Sequence, residues 1–158
     1  MEDAAETTAA VHRLYSGEDI GGLGYQFAQG LQHFTASRNK LTGKLSINSD
    51  TLYTLDVAHN QLEQLEVQSC KKLKFVGLNS NLLRILTPDI GKCAELETLQ
   101  LQENKLNTRV PDSFNQLKHL KTLSLAGNHL SCGLPLMKQA PGLGQGTYRD
   151  GKMCLRFC

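Results

Sequence analysis

The sequence predicts a solenoid of stacked coils, and three observations carry that prediction. The eleven-position pattern L-x-x-L-x-L-x-x-N-x-L, with apolar relatives of Leu allowed, recurs five times between Leu31 and Leu130. Every copy has Asn at its ninth position and Leu at its eleventh. The copies begin 21, 21, 23 and 24 residues apart, a period typical of stacked structural repeats. They read LQHFTASRNKL (31–41), LYTLDVAHNQL (52–62), LKFVGLNSNLL (73–83), LETLQLQENKL (96–106) and LKTLSLAGNHL (120–130).

Each position of the pattern has a physical cause. Apolar residues at the fourth and sixth positions alternate with the period of a strand, so both point to one face. The first and eleventh Leu fill the same interior from the turns on either side. A buried Leu contributes roughly 1.5–3 kcal/mol. No single copy can bury its own set, whereas stacking makes one continuous core. Ala36, at the sixth position of the first copy, is the weakest member. The Asn column (Asn39, Asn60, Asn81, Asn104, Asn128) falls where the chain turns sharply at a buried corner. That corner leaves main-chain groups without ladder partners. A carboxamide both donates and accepts, so these Asn are expected to satisfy groups of their own loop and of the next copy.

In these features the chain resembles the leucine-rich repeat family, over about two-thirds of its length. The resemblance implies an α/β right-handed solenoid. One short parallel strand per repeat lines its concave face, and its convex side is mostly extended or 3₁₀. Repeats of 21 to 24 residues are mixed. NKLTGKLS, NTRVPDSF and NHLSCGLP are similar to the plant- or protist-type branch, which is often extracellular, while the shorter copies look more like bacterial repeats.

The domain reading is a cap over 1–30, five repeats starting at 31, 52, 73, 96 and 120, and a C-terminal cap or tail over 131–158. AAETTAAVHRLY favours a short helix stopped at Gly17; alternatively VHRLYSGEDI is a degenerate repeat with Asp19 in the Asn slot. Leu23, Tyr25 and Phe27 are available to cover the core. The return segments TGKLSINSDT and EQLEVQSCKK read as extended, with strand-like Leu45, Ile47, Leu65 and Val67. Those with Pro88 and Pro111 read as 3₁₀ or a single helical turn begun by proline, with Phe114 and Leu117 pointing inward.

The five cysteines divide into two sets. Cys70 and Cys93 lie on convex turns and are expected to pack as small apolar groups. Cys132, Cys154 and Cys158 lie in the tail. They are reduced, or joined by a bridge of the kind with which extracellular members of the family often close their last repeat. With His129 they also form a permitted zinc set, though its second spacing is loose, and no metal site is assigned.

No catalytic residue is assigned and no cofactor is expected. GGLG (21–24) and GLGQG (142–146) lack the Lys-Ser/Thr or strand–helix context of a phosphate loop. A net charge of +2 with no basic stripe argues against nucleic acid, and no apolar run is long enough to span a bilayer. The expected function is therefore a non-catalytic module that binds a protein partner through the concave sheet. The residues expected to meet the partner are His33, Arg38, Thr54, Asp56, His59, Phe75, Asn79, Thr98, Gln100, Gln102 and Glu103. Phe75 is an aromatic in a solvent-facing slot beside Gly77, and either anchors a partner or lies flat on its neighbour strand. The alternatives are an assembly subunit that makes its contacts through caps and convex loops, and a secreted recognition or defence protein. The acidic start (Glu2, Asp3, Glu6) is unlike a signal peptide and points to the cytoplasm, or to secretion if a leader is missing.

Overall fold

The computed structural model describes residues 30–130. In chain order the strands are β1 (His33–Thr35), β2 (Thr42–Asn48), β3 (Thr54–Asp56), β4 (Gln61–Ser69), β5 (Phe75–Gly77), β6 (Thr98–Gln100) and β7 (Thr122–Ser124). Two 3₁₀ turns cover Pro88–Lys92 and Asp112–Gln116. The expected caps over 1–30 and 131–158, and Cys132, Cys154 and Cys158 with their bridge or zinc alternatives, lie outside the described residues.

Five strands form one parallel sheet in the order β1-β3-β5-β6-β7. Each occupies the third to fifth positions of one copy, and the register runs position to position: His33, Thr54, Phe75, Thr98 and Thr122 stand side by side. Crossovers between parallel strands are right-handed almost without exception, which sets the hand of the coil. Across the core, β2 and β4 form a second, two-stranded parallel sheet, and the 3₁₀ turns replace it further along the chain. The solenoid with a partly extended, partly 3₁₀ convex side is the fold that the sequence predicts.

Between the two sides lies one hydrophobic cluster. Phe34, Leu55, Val76 and Leu99 fill it from the fourth positions, and Ala36, Val57, Leu78 and Leu101 from the sixth. Leu45, Ile47, Val67, Ile90, Phe114 and Leu117 close it from the convex side.

The Asn column is the second element of cohesion. Asn81 is typical. Its Nδ2 donates to Leu78 O (3.1 Å) and Asn79 O (3.4 Å) in its own turn, and to Val57 O (3.0 Å) in the preceding coil. Its Oδ1 accepts from Leu62 N–H at 3.0 Å. Asn60, Asn104 and Asn128 repeat this set. Asn39, in the first copy, bonds to its own turn through Ala36 O and Ser37 O. The partner coil is the preceding one, not the following one expected from the sequence. On the following side the corner is already filled by main chain: the eighth-position N–H groups of Arg38, His59, Ser80 and Glu103 donate to Ala58, Asn79, Gln102 and Ala126 of the next coil.

Cys70 and Cys93 do not pack as separate thiols. They form a disulfide, with Cα atoms 5.1 Å apart and a sequence separation of 23. Each stands three residues ahead of the first Leu of the next copy, Leu73 and Leu96. Equivalent positions of stacked coils lie about 4.8 Å apart, within reach of a bridge.

Candidate functional site

The outer face of the five-stranded sheet is built from the third and fifth positions of each copy, because the pleat turns the fourth inward. His33 and Thr35 are exposed at its first strand; Thr54, Asp56, Phe75, Thr98 and Gln100 are half-buried along its middle. Gly77 makes the one step in this surface. The Phe75 ring reaches along its own strand over Gly77, and the Asp56 carboxylate closes on it from β3. A Cβ on Gly77 would lie 3.1 Å from Phe75 Cε1 and 2.9 Å from Asp56 Oδ1. Phe75 thus reaches over the residue two places on. Asp56 Oδ1 also accepts from Ala58 N–H at 3.1 Å, which fixes the carboxylate beside the ring.

The loops that leave the strands form a second row. Arg38, His59, Ser80 and Glu103 hold φ between 54° and 58°, and Gly127 takes the same position in the fifth copy with φ 66°. A left-handed non-glycine residue costs roughly 1–2 kcal/mol. The main-chain bonds to the next coil hold it there. These residues turn their side chains to solvent: Arg38, His59 and Glu103 are exposed. Asn79 Nδ2 lies 3.5 Å from His59 Nε2. Gln102 is half-buried, and its Oε1 has no hydrogen-bond partner. The left-handed column was legible in one letter only, Gly127.

The side from which the strands begin carries charge that is neutralised between coils. Lys71 pairs with Asp50 at 2.6 Å, and Glu97 lies between Lys74 (3.5 Å) and Lys121 (2.5 Å). Ser69 Oγ also donates to Asp50. Lysine hydrogen bonds hold the carboxyls of Asp50 and Glu97 below their usual range. The His33 and Tyr53 rings stack with centroids 6.3 Å apart, and Lys72 Nζ lies 5.9 Å from the Tyr53 centroid. Sequence reasoning named His33 but missed Tyr53 and Lys72, which stand outside the alternating positions.

This face offers a hydrogen-bonded sheet of hydroxyls, amides, one carboxylate and three aromatic rings. Among the described residues no group of three His, Cys, Asp or Glu could hold a metal ion, and no helix is long and apolar enough to cross a membrane.

A family model described as leucine rich repeat matches residues 71–130. Over those residues the chain is similar to leucine-rich repeat proteins. Over 79 residues it is 30% identical to an adenylate cyclase of Schizosaccharomyces pombe, covering 49% of this chain and 5% of that protein. Over 63 residues it is 37% identical to phytosulfokine receptor 1 of Arabidopsis thaliana, covering 40% of this chain and 6% of that one. Among solved structures it is similar to the plant peptide hormone receptor RGFR1 in complex with RGF2. The TM-score is 0.52 and the identity 26%, over 73% of this chain and 24% of the receptor. The chain therefore spans less than a tenth of these two curated relatives and about a quarter of that receptor. The fold is typically non-catalytic and commonly serves protein–protein contact.

Proposed function

We propose that this leucine-rich repeat protein is a non-catalytic binding module whose concave sheet takes a segment of a protein partner. The observation that carries this reading is the Phe75–Gly77–Asp56 step: an aromatic held in place beside a fixed carboxylate on an otherwise small, polar sheet. Buried aromatics are favoured interface anchors, and a face already rigid loses little ordering entropy on binding. The solved relative, a peptide hormone receptor in complex with RGF2, supports a polypeptide ligand. The likeness to an adenylate cyclase covers 5% of that enzyme. His33, Arg38, Thr54, His59, Asn79, Thr98, Gln100, Gln102 and Glu103 flank the step on the same face and its adjoining loops.

The test is a set of alanine variants, Phe75→Ala, Asp56→Ala and Gln100→Ala, against a ligand recovered by affinity capture. Phe75→Ala is expected to weaken binding roughly tenfold or more while the thermal midpoint stays close to wild type. Unchanged binding in all three variants would overturn the assignment.

The Cys70–Cys93 bridge favours an oxidising compartment for this module, and with it the secreted recognition alternative over the cytoplasmic one.

A further inference from the structure

Asp56 is the one acidic residue in the five strands of the concave sheet. Carboxylates at the edge where those strands begin are matched: Asp50 by Lys71, and Glu97 by Lys74 and Lys121. Asp56 has no such match, since among the described residues no lysine, arginine or histidine forms an ion pair with it. Its Oδ1 accepts from Ala58 N–H at 3.1 Å, and its Oδ2 meets no donor among the described residues.

Phe75 is half-buried on the next strand, and its neighbours in the register are Thr54 and Thr98. Tyr53 has the His33 ring and the Lys72 ammonium beside it, whereas no ring or cation among the described residues stacks on Phe75. Ring and carboxylate converge over Gly77, at 3.1 Å and 2.9 Å from the place of its missing Cβ. A group that covers the ring therefore covers the carboxylate as well. An apolar group would leave Oδ2 buried without a donor, and an anion would meet like charge. A cation is attracted to an aromatic face. A guanidinium is in addition flat: it stacks on a ring and bonds a carboxylate through parallel N–H donors.

We propose that Phe75 and Asp56 form a subsite for an arginine side chain of the partner segment, an inference that rests on the concave sheet being the binding face. The guanidinium lies on the Phe75 ring and donates to Asp56 Oδ2, the acceptor that the chain itself leaves open.

The probe is a phage-displayed library of random peptides panned on the full chain. Recovered peptides are expected to carry an arginine. Citrulline in its place keeps the shape and loses the charge, and is expected to weaken binding roughly tenfold or more; lysine is expected to fall between the two. On Asp56→Asn the citrulline exchange is expected to have little effect. That variant keeps an oxygen for Ala58 N–H, so it is expected to keep the wild-type thermal midpoint. Nuclear Overhauser contacts between the arginine side chain and the Phe75 ring report the site in the wild-type complex without any variant. Peptides that lose affinity for Phe75→Ala but are indifferent to citrulline would overturn the arginine subsite and leave the concave face standing. So would a citrulline effect as large on Asp56→Asn as on wild type. Peptides that bind Phe75→Ala, Asp56→Asn and Gln100→Ala as they bind wild type would overturn both readings. A library without a binder would overturn the subsite alone, since a ligand recovered by affinity capture still tests the face.

Discussion

Gly91 and Ser113 meet where the two 3₁₀ turns stack. A Cβ on Gly91 would stand 2.6 Å from the Ser113 carbonyl oxygen, and Ser113 Oγ donates to Pro88 O at 2.6 Å across the same contact. The close approach is main chain against glycine, so no flexible side chain can move aside. Gly91→Ala is expected to cost about 1–3 kcal/mol through overpacking, read as a lower urea midpoint with an unchanged slope. Ser113→Ala, which loses one exposed hydrogen bond, is expected to cost less than half as much. Equal stability of Gly91→Ala and wild type would show that the turns do not depend on this approach.

Asn81→Ala removes three donated bonds and one accepted bond at a buried corner. Leu62 N–H then loses its partner, whereas Val57 O keeps the bond from Asn60 Nδ2 at 2.9 Å; a buried group left unpaired costs about 1–3 kcal/mol. The expected loss is about 1–3 kcal/mol in chemical denaturation. Asn81→Asp keeps the acceptor for Leu62 N–H but aims a carboxylate at three carbonyl oxygens, so it is expected to be no better than alanine. A neutral result for both variants would remove the column from the list of forces that hold the coils.

The Cys70–Cys93 bridge closes a loop of 23 residues. Loop-closure entropy gives such a bridge about 3 kcal/mol, so reduction or Cys70→Ala is expected to lower the thermal midpoint by several degrees. Thiol titration of the unfolded chain without reductant checks the bridge directly. Of the five cysteines, three or fewer should react; five reacting would exclude it.

Glu97 links three coils through Lys74 and Lys121. The Lys121 hydrogen bond is the first cause of its lowered pKa, with the charge of Lys121 next and Lys74 adding to it. A carboxyl depressed in the folded state adds stability above its unfolded value, near 4.3, and that contribution disappears as pH falls through the lower folded value. Lys121→Ala is expected to raise the Glu97 pKa, read by side-chain carboxyl NMR, and to leave stability more nearly constant below about pH 4.3. The pair is exposed, so high salt should shrink the difference. A Glu97 pKa unmoved by Lys121→Ala would break this link.

Much of the fold was legible because it rests on periodicity. Alternation at the fourth and sixth positions located the concave strands, and Leu45, Ile47, Leu65 and Val67 indicated the convex ones. Pro88 and Pro111 indicated the 3₁₀ turns because proline fixes φ. What stayed hidden depends on relations between coils. Cys70 and Cys93 look unrelated until both are numbered from the Leu that follows them; equivalent positions are neighbours in a stack. The left-handed column is masked because Arg38, His59, Ser80 and Glu103 are not residues that announce positive φ. The Phe75–Gly77–Asp56 step combines a same-strand contact with a cross-strand one, and spacing alone identified its members without showing how they close on one another.

The backward reach of each ladder carboxamide gives the molecule a direction of completion. Leu41, Leu62, Leu83 and Leu106 receive the acceptor for their amide only from Asn60, Asn81, Asn104 and Asn128 of the coil made next. During synthesis each turn of the chain must therefore wait for its successor to emerge before its last main-chain donor is satisfied, so the structure matures one coil behind the ribosome. Shortening the array from its carboxyl end would undo a finished corner, whereas shortening it from the amino end would leave every remaining corner but the first intact.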